Sequence, residues 1–278
     1  MGESVMSNIE PGRDDWDRHW AAYRAAAELN PANRFRRRLI FEALALDREA
    51  LALGREALAL GPAPIRLVDI GSGPGELLAR VRAAYPHAQL LGIELSREGI
   101  AAAERNLPDA RFIQRDLSQP GPLPAEFHGW ATHAVCSEVL EHLDDPVAFL
   151  KNVAPVLGPG CRLVITVPGG PMSAFDRSIG HRRHFTAAAL GEVLRDAGLT
   201  VEWTNGAGFP FFNLYRLAVI ARGDALARDL EQETGLPWTA RAAMAGFDQL
   251  FRLSRTAGSH GWQIAACART PGNSGTAR

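Results

Sequence analysis

Between Val68 and Glu76 the chain reads Val-Asp-Ile-Gly-Ser-Gly-Pro-Gly-Glu, directly after a short apolar run and directly before a helical pattern. This stretch constrains the fold more than any other. Glycine tolerates backbone angles that other residues avoid, so Gly71, Gly73 and Gly75 let the chain turn sharply and approach a ligand closely. Such a turn belongs at the carboxyl end of a strand in an open α/β sheet, where these sheets bind ligands. The alternating spacing departs from the dinucleotide fingerprint, which has two residues before its last glycine. Asp69, inside the strand end, is placed to face a cationic ligand.

The chain on either side supplies the sheet. Short β-rich runs over residues 65–70, 89–93, 110–113, 131–136, 161–167, 200–203 and 262–268 alternate with helical patterns near 76–84, 97–106, 146–157 and 187–197. Pro146 after Asp144 and Asp145 suits a capped helix start, and Gly158-Pro159-Gly160 stops that helix. Strand–helix alternation predicts an α/β fold with a mostly parallel seven-stranded sheet and helices on both faces. Gly61-Pro62-Ala63-Pro64 is the clearest boundary, giving an N-terminal helical segment (1–60), a core (61–270) and a disordered tail (271–278). Residues 206–258 break the alternation and read as a helical insertion before the last strand.

Composition narrows the setting. The 278 residues carry 30 Lys and Arg against 31 Asp and Glu, a formal charge of −1 that gives no global case for nucleic acid or an anionic membrane. Cys136, Cys161 and Cys267 are odd in number and each sits in an apolar run, the pattern of buried free thiols in a reducing compartment. The acidic N-terminus lacks the basic-then-apolar layout of a signal peptide, and no uncharged run is long enough to span a bilayer. A cytoplasmic location is expected; oligomeric state is not legible.

Two further strand ends carry acids. Glu94, in Leu-Gly-Ile-Glu-Leu95, can accept hydrogen bonds from both hydroxyls of a ribose. Asp116, in Gln-Arg-Asp-Leu117, can reach an adenine amino group. Together with the glycine loop, these residues resemble those of the class I S-adenosylmethionine-dependent methyltransferases, well over Gly61–Val167 and more loosely from Phe185 to Arg269. The resemblance implies a Rossmann-like methyltransferase fold. It also implies that Asp69, Gly71, Ser72, Gly73 and Gly75 hold the methionine part of the cofactor, Glu94 and Leu95 the ribose, and Asp116 and Leu117 the adenine. Ser137, with Cys136 and Glu138, would close the pocket near the sulfonium. A nicotinamide dehydrogenase is disfavoured by the glycine spacing and by the lack of a Tyr-x-x-x-Lys pair.

Methyl transfer from a sulfonium is an in-line displacement, so the protein must place the acceptor and, for a hydroxyl, help remove its proton. Ser137-Glu-Val-Leu-Glu-His142 and the loop after the fifth strand hold the candidates. Imidazole titrates near working pH, so His142 or His181 can serve as general base. Glu-x-x-Glu-His is also a sequence in which Glu141 and His142 merely shape the loop. The alternative is a divalent metal (Mg²⁺, Mn²⁺ or Zn²⁺) held by Glu138, Glu141, His142 and His181, with Glu138, His142 and His181 as the catalytic set. That arrangement resembles the metal-assisted small-RNA 2′-O-methyltransferases and ubiquinone-pathway O-methyltransferases, with His184 as the second choice of loop histidine.

Asp176, Arg182, Arg183 and His184 suit a polar or anionic acceptor. The segments Trp16–Tyr23 and Asn30–Arg38 are expected to form a lid, with Tyr23 and Arg34 as contacts, or else a scaffold helix packed on the sheet by its aromatics; the aromatic segment Phe209–Tyr215, with Phe211, is expected to wall the acceptor pocket. The expected activity is methylation of a small molecule, O-directed, in bacterial secondary metabolism or in modification of a lipid, quinone or sugar. Metal-dependent RNA 2′-O-methylation and a catalytically silent cofactor-binding protein are the alternatives.

Overall fold

In the computed structural model, residues 16–17, 30–46, 64–222 and 238–272 are described. Seven strands form one sheet: β1 (Arg66–Ile70), β2 (Gln89–Glu94), β3 (Arg111–Gln114), β4 (Ala131–Ser137), β5 (Leu157–Pro168), β6 (Thr200–Ala207) and β7 (Gln263–Arg269). Their order is β3-β2-β1-β4-β5-β7-β6. All neighbours pair in parallel except β7, which runs antiparallel to both β5 and β6. The chain grows outward from β1 to β3, then returns to place β4 on β1's other side. Loops after β1 and β4 therefore diverge, and the crevice between them is where such a sheet takes a ligand.

The helices are α1 (Pro31–Leu44), α2 (Glu76–Ala84), α3 (Arg97–Asn106), α4 (Pro146–Val153), α5 (Ala174–Ser178), α6 (Ala187–Asp196), α7 (Phe211–Arg222) and α8 (Trp238–Phe251). Alternate strand residues point to opposite faces. Val68, Ile70, Ile93 and Cys136 pack with Phe149, Leu150, Leu190 and Leu194 of α4 and α6. Leu67, Leu90, Val135 and Val164 meet Ile40, Leu44, Leu78 and Val81 of α1 and α2 on the other face. Burial on both faces explains why the inner strands read as continuous apolar runs.

α1 starts at an Asn30 cap, whose side chain accepts from the Ala32 amide, with Pro31 in the first turn. Its far face holds Phe35 and Leu39 against Phe212 of α7 and Phe251 of α8. The N-terminal segment thus joins the sheet and the insertion into one packed body. Strand β5 begins at Leu157, the last residue read as helix, and runs through the expected helix stop, because Gly158 lets the backbone lie against the Gly129 and Ala131 carbonyls. β6 extends to Ala207, so the first two residues of the expected insertion, 206 and 207, belong to the strand. Pro271, assigned to the tail, accepts a hydrogen bond from the Gly160 amide; residues 273–278 lie outside the described set. Among the described residues no helix is long and apolar enough to cross a membrane.

Candidate active site

Above the carboxyl ends of β1, β2, β3 and β4 lies one cavity of about 1110 Å³, running from the glycine loop to the loop after β5. At its first end Gly71, Gly73 and Gly75 all have positive φ, at 74°, 50° and 78°. A Cβ on Gly71 would lie 2.5 Å from Val139 Cγ2, so the position admits only glycine. Glu94 joins this loop to the next: Oε2 accepts from the Gly73 amide and Oε1 from the Ser96 amide, each at 2.8 Å. Burial raises the pKa of Glu94, although those amides pull against it. Asp69 is buried, and desolvation together with the Glu94 charge pushes it up to about 7. Asp116 accepts from the Ser118 amide and hydroxyl, fixing its own turn. Leu117 is buried, Leu95 stands exposed at the rim, and Ser137 Oγ lies 2.8 Å from Thr166 Oγ1.

The other end is built on the turn after β4. Glu138 has φ 57°, a left-handed backbone that costs a non-glycine residue roughly 1–2 kcal/mol. That conformation turns its carboxylate toward Gln263 Nε2, 3.0 Å from Oε1, and Arg36 Nη1, 3.1 Å from Oε2. The next turn, Leu140–His142, buries Glu141 completely, and among the described residues neither of its carboxylate oxygens has a hydrogen-bond partner. Burial, then the Glu138 charge, drives its pKa well above the carboxylate range. The rings of His142 and His181 meet edge to face at 4.7 Å.

The hydrogen-bond pattern assigns the tautomers on the β5 loop. His184 Nδ1 lies 3.0 Å from the Gly170 carbonyl, which can only accept, so Nδ1 carries the proton. Burial lowers the His184 pKa and keeps the ring neutral, leaving Nε2 to accept from His181 Nδ1 at 3.3 Å. His181 therefore presents an unprotonated Nε2. Burial, and next the His142 ring, lower its pKa to about 3. Behind these rings Asp176 is buried in a capping box with Ser173 and holds Arg216 Nη2 at 3.0 and 2.9 Å. Burial raises the Asp176 carboxyl, but the Arg216 and Ser173 hydrogen bonds outweigh it and hold the pKa low.

Most of the expected site residues converge on this cavity: Asp69, Gly71, Ser72, Glu94, Leu95, Asp116, Leu117, Ser137, Glu138, Glu141, His142, Asp176, His181 and Arg182 line it. Five of the expected residues sit differently. Glu138 belongs to neither of the two groups whose ligand atoms lie within 4.8 Å of one another, Glu141 with His142 and His181, and Asp176 with His181 and His184; its backbone turns it to Arg36 instead. Phe211 is off the cavity wall because the helix phase of α7 points Phe212, Tyr215, Arg216 and Val219 inward. Arg183 turns outward to the Asp144 carbonyl, and His184 stands behind His181 rather than on the wall. Arg34 pairs with Asp248 of α8 at 3.3 Å. Tyr23 lies outside the described residues. Arg182 pairs with Asp144 at the cavity edge.

Sequence reading did not single out Gln263, Arg216 or, within a run read as a solvated face, Arg36, which come from β7, α7 and α1. Tyr215 belongs to the aromatic run expected to wall the pocket, and in the segment expected as a lid Asp17 accepts from Ser96 Oγ at 2.6 Å and the Trp16 ring lies 4.7 Å from His142. The Ser173-x-x-Asp176 capping pattern was the one local signal for α5. Nothing local marks Arg36 as a cavity residue among its neighbouring arginines.

A sequence profile for the family described as a methyltransferase domain matches residues 35–203, from the third residue after Ala32 through β1–β5 into β6. The chain belongs to this family. With the fold and the strand-end loops, this gives it a class I S-adenosylmethionine-dependent methyltransferase domain. The methyltransferase is similar to a trans-aconitate 2-methyltransferase of Methylobacterium nodulans, 35% identical over 106 residues, 38% of this chain and 39% of that one. It also resembles a ubiquinone biosynthesis O-methyltransferase of Xanthomonas axonopodis, 29% identical over 174 residues, 56% of this chain and 72% of the relative. The first match thus spans well under two thirds of the relative. Among solved structures, a SAM-dependent methyltransferase of Thermotoga maritima superposes with a TM-score of 0.53 at 15% identity, over 91% of this chain and 97% of the other, a likeness of fold alone.

Proposed function

We propose that this methyltransferase moves the methyl group of S-adenosylmethionine onto an oxygen of a small molecule. The observation that carries the reading is His181, an uncharged imidazole on the wall of the cavity that begins at the glycine loop. In this reading Asp69, the Gly71–Gly75 loop, Glu94 and Asp116 hold the cofactor, and Ser137 borders the transferring methyl. The acceptor oxygen attacks the methyl carbon in line as the carbon–sulfur bond breaks, leaving S-adenosylhomocysteine. A hydroxyl becomes strongly acidic as its bond to carbon forms, so even a weakly basic Nε2 can take the proton at that stage. Trp16, Phe212, Tyr215 and Trp262 supply apolar wall, which suits a small acceptor. Two relatives, named for trans-aconitate and for ubiquinone biosynthesis, support a small-molecule acceptor.

A second reading adds a divalent metal. Glu141, His142 and His181 fit one: their ligand atoms lie within 4.8 Å of one another, and the buried Glu141 carboxyl lacks any other partner. When bound, such an ion lowers the pKa of an acceptor hydroxyl. The histidines and Glu141 would hold it, while Glu138 stays with Arg36.

One experiment addresses both readings. The protein is incubated with trideuteromethyl S-adenosylmethionine and a panel of hydroxy, carboxylic and amino acceptors, before and after chelation and after Mn²⁺ is returned. The expected product carries the label on oxygen, and His181→Ala lowers kcat about 10²- to 10⁴-fold without changing affinity for S-adenosylhomocysteine. Label on nitrogen or carbon contradicts the proposal. Unchanged turnover after chelation, with no Mn²⁺ binding by calorimetry, removes the metal.

A further inference from the structure

Across the cavity from the glycine loop, α1 and α7 bring two arginines to the acceptor end. The helices are tied together by the Tyr215 hydroxyl, which donates to Asn30 Oδ1 at 3.0 Å. One residue along α7, Arg216 is 14% exposed at its side chain and spends only Nη2, which donates to both Asp176 oxygens. Its Nε and Nη1 hydrogens have no partner among the described residues. On α1, Arg36 is 18% exposed at its side chain and meets Glu138 and Gln263 through Nη1, with Nη2 turned to Asn33. Its Nε is likewise unspent. Both arginines line the cavity, and Arg216 directly follows Tyr215, the residue that ties α7 to the start of α1.

Two cavity-lining arginines with hydrogens to spare offer a site to an acceptor that enters the cavity. The carboxylates already present do not fill it. Asp176 is occupied by Ser173 and a single Arg216 nitrogen, Glu138 is shared with Gln263, and burial holds Glu141 toward its neutral form. Arginine pairs with planar carboxylates through several parallel hydrogen bonds, a geometry that lysine does not reproduce.

We infer that Arg36 and Arg216 form a recognition site for a carboxylate group on the methyl acceptor, so that the substrate class of this enzyme is small organic acids. This deepens the O-methylation reading and rests on the same cavity. The acid's carboxylate lies between α1 and α7, and the oxygen to be methylated extends from there toward His181 and the sulfonium.

The test is calorimetric titration of the full chain, saturated with S-adenosylhomocysteine, with trans-aconitate, succinate and 4-hydroxybenzoate, each compared with its amide. At least one acid is expected to bind at least tenfold more tightly than its amide. Arg216→Lys, which keeps a cation beside Asp176, and Arg36→Gln should each weaken that acid at least tenfold. Affinity for S-adenosylhomocysteine should stay within twofold, showing an intact sheet. The inference is overturned by amides that bind as well as acids, by no acid binding, or by variants that bind acids as the wild type does. Acid binding that follows these rules, with the label found on nitrogen or carbon, would sink O-methylation and leave the carboxylate site standing.

Discussion

Asp69 is a buried carboxyl at the end of β1, facing a second acid, Glu94, across the glycine loop. Its pKa is raised from 3.8 to about 7, so the ligand-free fold binds a proton there that the unfolded chain has already released. The sign follows directly: the stability contributed by this site is complete below the unfolded value and is lost as pH rises through about 7. A cationic methionine ammonium beside Asp69 reverses the preference, because an opposite charge favours the ionised form. Binding of S-adenosylmethionine should therefore release a proton near and below pH 7, and affinity should rise between pH 6 and pH 8. Calorimetry in buffers of different ionisation enthalpy measures the proton directly. Asp69→Asn should abolish the release, and an unchanged release would place the titrating group elsewhere. Asp69, Glu94 and the glycines were legible because local sequence fixes them, as steric exclusion at Gly71 illustrates. Arg36, Arg216 and Gln263 were not, because their roles depend on which helix or strand faces which.

At the scale of elements, helix phase separates what was read from what was missed. The strands declared themselves through continuous apolar runs, and the caps at Asn30, Ser96, Asp145 and Thr186 set helix starts. In α7 the aromatic run identified a cavity-lining segment but not its orientation, so Phe211 stood in for Phe212 and Tyr215. Between the two readings of α1, a lid and a scaffold helix packed by its aromatics, the packing favours the second: its Phe35 ring lies 5.4 Å from Phe212 and 5.6 Å from Phe251. Phe35 is 3% exposed. Phe35→Ala should destabilise the fold by about 3–5 kcal/mol, the usual cost of emptying a buried aromatic site. It should also weaken acceptor binding, because Arg36 shares the helix. Urea unfolding checks the first effect and titration the second. A loss below about 1 kcal/mol would mean that α1 packs loosely against the insertion.

For the whole molecule, the reversal of strand order at β1 and β4 opens the crevice, and the insertion between β6 and β7 closes over its acceptor end. The order β3-β2-β1-β4-β5-β7-β6 was foreseeable as a parallel sheet from strand–helix alternation, although the antiparallel seat of β7 was not, since periodicity carries no direction. The same arrangement builds one half of the cavity from residues at strand ends and the other half from residues of loops and helices. This division explains why the first half was legible and the second was not. In the proposed function the strand-end residues hold S-adenosylmethionine, with Glu94 on its ribose. The most direct measurement is titration of S-adenosylhomocysteine into wild type, Glu94→Ala and, as a control at the acceptor end, His181→Ala. The account predicts clear binding to the wild type, at least tenfold weaker binding to Glu94→Ala and wild-type affinity for His181→Ala. Equal binding by Glu94→Ala and wild type would contradict it.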